Sequence, residues 1–136
     1  LKDDGLVTDE LVVQQGRPNK KVYSITQAGR ERLLQWSRQS HAAPPVKDDL
    51  LVKLYGLRDV DVLAVRSQVA DRLQQHQQRL ALYERIEATA YRDVAPDDAA
   101  ATGRLLGLQL GLSYERSWIE WCEQALGRLE QLSEGL

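Results

Sequence analysis

The chain has 136 residues, 43% of them apolar and 28% charged, with a net charge of −2. That balance fits one ordinary domain or two small ones and argues against disorder. No apolar run approaches the ~18 residues that span a bilayer, so no membrane partner and a cytoplasmic location are expected. The single cysteine, Cys122, can neither close an internal disulfide nor hold a metal unaided.

Leu1-Lys2-Asp3-Asp4-Gly5 reads as the last turn of a helix, with Gly5 free to adopt the left-handed conformation that closes it. Because the chain contains no methionine, it is expected to be a fragment of a longer protein that has lost N-terminal helices. Leu6 to Val13 and Lys21 to Ile25 are rich in β-branched and large residues, and Gln14 to Asn19 supply Gly, Pro and Asn between them. The pattern predicts an antiparallel hairpin with a basic tip. A lone hairpin is marginal in water and must lean on helices. Thr26 is a suitable N-cap for one of these, over 27–40, with Leu33, Leu34 and Trp36 on its apolar side.

Pro44-Pro45 breaks that helix, which sets the expected domain boundary, 1–43 and 44–136. Leu50, Leu51, Leu54 and Leu57 predict a short helix after it, loosened at its end by Gly56. Val62, Val65, Val69, Leu73, Leu80, Tyr83 and Ile86 predict a long one reaching about Tyr91. Pro96 then precedes a last helix from about Asp97 to Ser133, some 36 residues and ~54 Å long. It carries two apolar stripes. Leu105, Leu108, Leu112, Ile119, Cys122, Leu126 and Leu129 form the first, which we assign to a two-fold dimer interface, because a helix this long needs a second chain to cover its far end. Leu106, Leu110, Tyr114, Trp118, Trp121, Ala125 and Leu132 form the second.

Charge is placed unevenly. Residues 14–38 carry Arg17, Lys20, Lys21, Arg30, Arg32 and Arg38 against the lone acid Glu31, whereas residues 39–136 are net acidic. The first stretch suits phosphates. No phosphate-binding glycine loop, nucleophile elbow, His-x-x-x-His or Cys-x-x-Cys pair occurs, so neither an enzyme, a cofactor nor a metal site is expected. Asp48-Asp49 and Asp97-Asp98 look like helix-start acids that suit the dipole. Several features keep two readings. Tyr114, Trp118 and Trp121 form either packed core or a flat-walled pocket for an aromatic effector. Gly103, Gly107 and Gly111 mark either a groove for a closely approaching helix or a poorly formed helix start. His76, between Leu73 and Leu80, is either a polar seam residue or a sensor. Cys122 is either a small buried hydrophobe or a redox thiol.

Asp4-Gly5-Leu6-Val7, Gly16-Arg17-Pro18, Tyr23-Ser24-Ile25-Thr26 and Ala28-Gly29-Arg30 stand in an order and spacing that resemble the PadR-type transcriptional regulators. Val46 to Leu54, Leu112-Ser113-Tyr114-Glu115-Arg116 and Trp121 are similar, more loosely, to the C-terminal region of that family's longer subgroup. The resemblance covers nearly the whole chain. It implies a mainly α fold: the remnant of a winged helix-turn-helix domain, its hairpin wing and following helix, joined to a three-helix dimerisation domain. It also implies a homodimeric repressor or activator that binds operator DNA and, in some members, is released by a small, often aromatic compound. Only Arg17, Lys20 and Lys21 carry over as DNA contacts, since nearly all of the base-reading helix lies outside this sequence. The alternative is a helical dimerisation or adaptor module that binds another protein without touching DNA.

Overall fold

The computed structural model describes residues 1–135 and divides after Val46 into two compact units, a hairpin unit and a helical unit starting at Lys47. Among the described residues the fold is mainly helical: a two-stranded antiparallel sheet and four helices.

In the hairpin unit, β1 (Val7–Val12) pairs with β2 (Lys20–Ile25), with Val7 opposite Ile25 and Val12 opposite Lys20. The chain enters β1 through the expected glycine turn. Gly5 has φ +72°, the Gly5 N–H donates to the Lys2 carbonyl at 3.0 Å, and the Leu6 N–H donates to the Leu1 carbonyl at 3.1 Å. That pair of bonds is how a helix C-terminus satisfies its last carbonyls. At the tip, Gly16 has φ +71° and the Asn19 side-chain oxygen accepts from the Gln14 N–H.

The junction from β2 into α1 (Gln27–Ser37) is tightly specified. Thr26 caps the helix by accepting from the Gly29 N–H at 3.0 Å, while its hydroxyl donates to the Gly5 carbonyl at 2.7 Å. Its own N–H donates to the Leu6 carbonyl at 3.0 Å. One threonine therefore ties the start of α1 to the entry of β1. Gly29 is the unit's one buried helical residue, and a Cβ there would stand 2.1 Å from the Leu6 carbonyl oxygen. The Thr-x-x-Gly spacing thus has a steric cause. α1 ends three residues earlier than the sequence pattern predicts; Trp36 stacks on His41 at 5.6 Å between ring centroids.

In the helical unit, α2 (Asp49–Tyr55), α3 (Val62–Ala90) and α4 (Ala99–Glu134) form the expected three-helix arrangement, with starts and ends within about two residues of the predicted ones. Each helix opens on an aspartate, Asp48, Asp61 and Asp98, whose carboxylate accepts from an otherwise unpaired first-turn N–H. α3 and α4 run antiparallel: Arg66 pairs with Glu130, His76 with Glu115, and Glu84 with Arg116.

The apolar core sits at one end of this pair. Leu50, Val65, Val69, Cys122 and Leu129 form it, with Leu54, Leu57, Val62, Leu73, Trp118, Ala125 and Leu126 packed around them. The first three turns of α4, residues 99–111, contain no fully buried residue.

Candidate functional site

The hairpin brings the wing residues together less closely than their spacing suggests. Arg17 lies in the tip and is exposed; Lys20 and Lys21 are exposed neighbours in β2. Successive strand residues point to opposite faces, so these two lysines diverge. Lys21 shares a face with Asp9, Leu11 and Tyr23, whereas Lys20 lies with Glu10, Val12 and Val22. On the first face the Lys2 ammonium donates to Asp9 at 3.0 Å and holds its carboxyl below the usual carboxylate range, an effect that Lys21 reinforces. The wing thus presents cations from its tip and both sides, not one flat patch.

The stripe of α4 assigned from spacing to a subunit interface is the one that this chain itself covers. Leu112, Cys122 and Leu129, expected at a subunit interface, are buried within the unit; Leu105, Leu108, Ile119 and Leu126 on the same stripe are half-buried. Their partners belong to this chain. Of the second stripe, Trp118 and Ala125 pack on the core, whereas Leu110 is 73% exposed and Leu106, Tyr114, Trp121 and Leu132 are also open to solvent. Both stripes repeat at helical spacing, so periodicity alone does not say which one faces α3. Of the three α4 glycines, a Cβ at Gly103 or Gly107 would meet nothing, while at Gly111 it would come within 3.3 Å of the Tyr83 ring. Within the chain, close helix approach is therefore a property of Gly111.

Tyr114, Trp118 and Trp121 do form a cluster. Trp118 lies edge-on to Trp121 at 5.5 Å and to Tyr114 at 6.5 Å. Trp118 packs against the core, and Tyr114 and Trp121 reach solvent. The cluster continues into polar groups that the spacing argument did not join to it. His76, 4% exposed, stacks on Trp118 at 4.9 Å with the rings 13° from parallel. Its Nδ1 is hydrogen-bonded to the Glu115 carboxylate, itself 2% exposed, and its Nε2 has no partner among the described residues. The Arg72 guanidinium stands over the same indole at 5.5 Å and donates two bonds of 2.8 Å to Asp48. Those bonds hold the Asp48 carboxyl below its usual range and raise the guanidinium above its own.

A signal for the buried pair is present in the sequence. Glu115 falls on the 3-4 spacing of the first stripe, between Leu112 and Ile119, and His76 falls between Leu73 and Leu80. An acid and a histidine on the facing apolar stripes of antiparallel helices meet when the register allows, because a buried charge needs a partner. Asp48, expected as a helix-start acid, is one, and its second role as the Arg72 acceptor was not legible. Cys122 is fully buried at the foot of the cluster, and burial pushes its thiol up, which favours the inert form.

No group of three or more metal-ligating side chains occurs among the described residues, and no helix there is long and apolar enough to cross a membrane. A cleft beside the cluster, lined by Asp49, Leu50, Lys53, Gln68, Asp71, Arg72 and Gln75, is polar and shallow, with Lys53 already bonded to Gln68.

Residues 46–130 match the family described as virulence activator alpha C-term. The chain is 30% identical over 141 residues to the probable transcriptional regulator Rv1176c of Mycobacterium tuberculosis, spanning 96% of this chain and 75% of that protein. It is 26% identical to the negative transcriptional regulator PadR of Bacillus subtilis, over 96% of this chain and 74% of PadR. Among solved structures, the Vibrio cholerae virulence activator AphA superposes with a TM-score of 0.76 at 32% identity, covering 96% of this chain and 72% of AphA. Bacillus subtilis PadR in complex with operator DNA and with p-coumaric acid gives a TM-score of 0.70 in each case, at 22% and 21% identity, which supports the fold. These cover 94% and 95% of this chain and 73% and 72% of PadR.

Proposed function

The chain belongs to the PadR-like family of transcriptional regulators, and from that premise we propose that it serves a homodimeric repressor that grips operator DNA with its wing and answers to a small aromatic effector. It is a DNA-binding regulator of winged-helix type and not an enzyme. A DNA partner in a bacterial cell puts its work in the cytoplasm.

The observation that carries the reading is the paired β-hairpin, fixed to α1 through Thr26 and Gly29, with Arg17, Lys20 and Lys21 exposed on it. Cations on a rigid finger meet the phosphates on either side of a groove, and their divergence suits a finger lying between two strands better than one lying flat on one. PadR of Bacillus subtilis, named a negative regulator, has been solved on operator DNA, which supports the repressor reading.

For the dimer, the face with the right character is the second stripe of α4, not the first. Leu106, Leu110, Tyr114, Trp121 and Leu132 lie exposed along a helix of 36 residues, and an apolar surface of that extent is best covered by its own copy. For the effector, Tyr114 and Trp121 hold rings open to solvent on either side of the packed Trp118, and PadR of Bacillus subtilis has been solved with p-coumaric acid. That compound is the natural first ligand to try here.

Binding of the regulator to mixed-sequence duplex DNA, followed by anisotropy across a salt series, tests the wing. Each phosphate contact contributes about 0.9 to the slope of log K against log salt. Lys20→Glu with Lys21→Glu should therefore flatten the slope by about 2 per subunit. An unchanged slope removes the wing from the mechanism and favours a DNA-independent adaptor.

A further inference from the structure

The polar chain beside the aromatic cluster ends at a telling place. Asp48 is the residue on which α2 is hung: its carboxylate accepts from the Leu50 N–H, and its carbonyl accepts from the Leu51 and Val52 N–H groups. It also stands three residues after the Pro44-Pro45 linker through which the hairpin unit is covalently joined, with Val46 and Lys47 between. From Asp48 the contacts run to Arg72 on α3, to Trp118 on α4, back to His76 one turn further along α3, and to Glu115 on α4. Every link is a bidentate ion pair, a ring contact or a buried hydrogen bond.

We propose that Arg72 is a positioning residue that couples the aromatic cluster on α4 to the first turn of α2, so that a change at Trp118 or His76 is felt where the linker enters the helical unit. Its use in signalling rests on the effector reading above; the coupling itself does not. Arg72 suits the task because its planar guanidinium makes two bonds to one carboxylate and one face contact to one indole, and neither can shift without the other. His76 suits it because only one ring nitrogen is tethered, so that the plane of the imidazole follows Glu115 and Trp118. The charged and titratable groups around this path are Asp48 at the cap of α2, Asp49 and Lys53 of α2, Asp71 and Arg72 of α3, and Tyr114, Glu115 and Cys122 of α4. Leu50 offers a competing route, since it fastens α2 to the core independently of the ion pair.

Spatial continuity is not coupling, and coupling has to be measured. Amide hydrogen exchange at Leu50, Leu51 and Val52 reads the α2 end without any ligand. His76→Gln, which keeps a hydrogen-bonding group toward Glu115, should lower protection there by roughly 2- to 30-fold, and in an Arg72→Lys background the same change should have no further effect. Equal loss in both backgrounds, or no loss in either, overturns the proposal in favour of the Leu50 route. Should His76→Gln fail to fold, the reverse experiment stands: Asp48→Asn keeps the helix cap but not the charge, and should shift the NMR signals of the His76 ring nitrogens. Unmoved ring signals overturn it equally. Titration with p-coumaric acid separates the two readings. Binding that lowers α2 protection in the wild type but not in Arg72→Lys supports the signalling role, and binding that leaves α2 unchanged refutes it. Absence of binding counts against the proposed effector site and leaves the ligand-free result to decide the coupling.

Discussion

Leu110 and Leu112 are neighbours on α4 with opposite fates, and truncating each in turn separates the inner face of the helix from the outer one. Leu112 is 2% exposed and Leu110 73%. Emptying a filled site next to α3 costs about 2–5 kcal/mol for Leu→Ala. In a helical unit of this size each kcal/mol moves Tm by roughly 4–8 °C. Leu112→Ala should therefore lower Tm by about 8–40 °C at every protein concentration. Leu110→Ala should leave the isolated subunit within about 0.5 kcal/mol of the parent. If the second stripe is the dimer seam, each Leu110 contributes about 1.5–3 kcal/mol when covered, and symmetry doubles it. The dimer dissociation constant should then rise roughly 100- to 10,000-fold. Sedimentation equilibrium gives that constant, and melting at two widely spaced concentrations separates the effects, because only a dimer-linked loss depends on concentration. A Leu110→Ala dissociation constant within about two-fold of the parent, or a Tm loss at high dilution matching that of Leu112→Ala, would refute the assignment of faces.

Gly29→Ala places a methyl group 2.1 Å from a backbone oxygen, which a flexible side chain cannot relieve. The variant should lose the β1–β2 pairing or shift α1, visible as exchange of the Thr26 amide and as lost DNA affinity, whereas Gly103→Ala should stabilise α4 by up to ~1 kcal/mol. Glu115→Ala leaves a buried histidine without its acid and should cost about 3–5 kcal/mol in chemical denaturation; a loss below 1 kcal/mol would mean that water serves the imidazole equally well. The Asp48 carboxyl is depressed in the folded state by Arg72, so its contribution is complete above the unfolded value near 3.9 and fades as pH falls through the lower, folded one. Stability measured against pH should thus drop less steeply below about pH 4 in Asp48→Asn than in the parent. Identical acid limbs would remove the ion pair from the account.

Local order in this chain is written in short-range chemistry, and that is what a reading of the residues recovers. Thr26, Asp48 and Asp98 announce their helices because a cap is decided by one side chain and the next three amides. The Gly5 and Gly16 turns announce themselves because few residues tolerate positive φ. The three helices of the second unit follow from periodicity, and their ends fall where expected to within about two residues. What periodicity leaves undetermined is rotation about the helix axis. α4 has two stripes of equal quality, and the choice between them depends on which one matches the width and volume of α3, a property of two helices together. The same limitation hid the Asp48–Arg72 clasp, whose partners are 24 residues apart with no sequence pattern between them. The His76–Glu115 pair was nearer to hand: both residues interrupt otherwise apolar stripes, and two such interruptions on helices joined by one short turn invite pairing. At the wing, the period of two gave the finger and concealed its geometry, since adjacent lysines read as a patch in the sequence and as two edges on a strand.

The core of the helical unit is gathered at the end where α2 packs, while the glycine-bearing start of α4 contributes nothing fully buried. The pair is thus clamped by side chains at the end far from its connection, and held at the near end mainly by the connection 91–98 itself. Local opening should begin at the connected end, where fewer fully buried side chains have to part. A helix pair fastened at one end and merely tied at the other can pass a displacement along its length without coming apart.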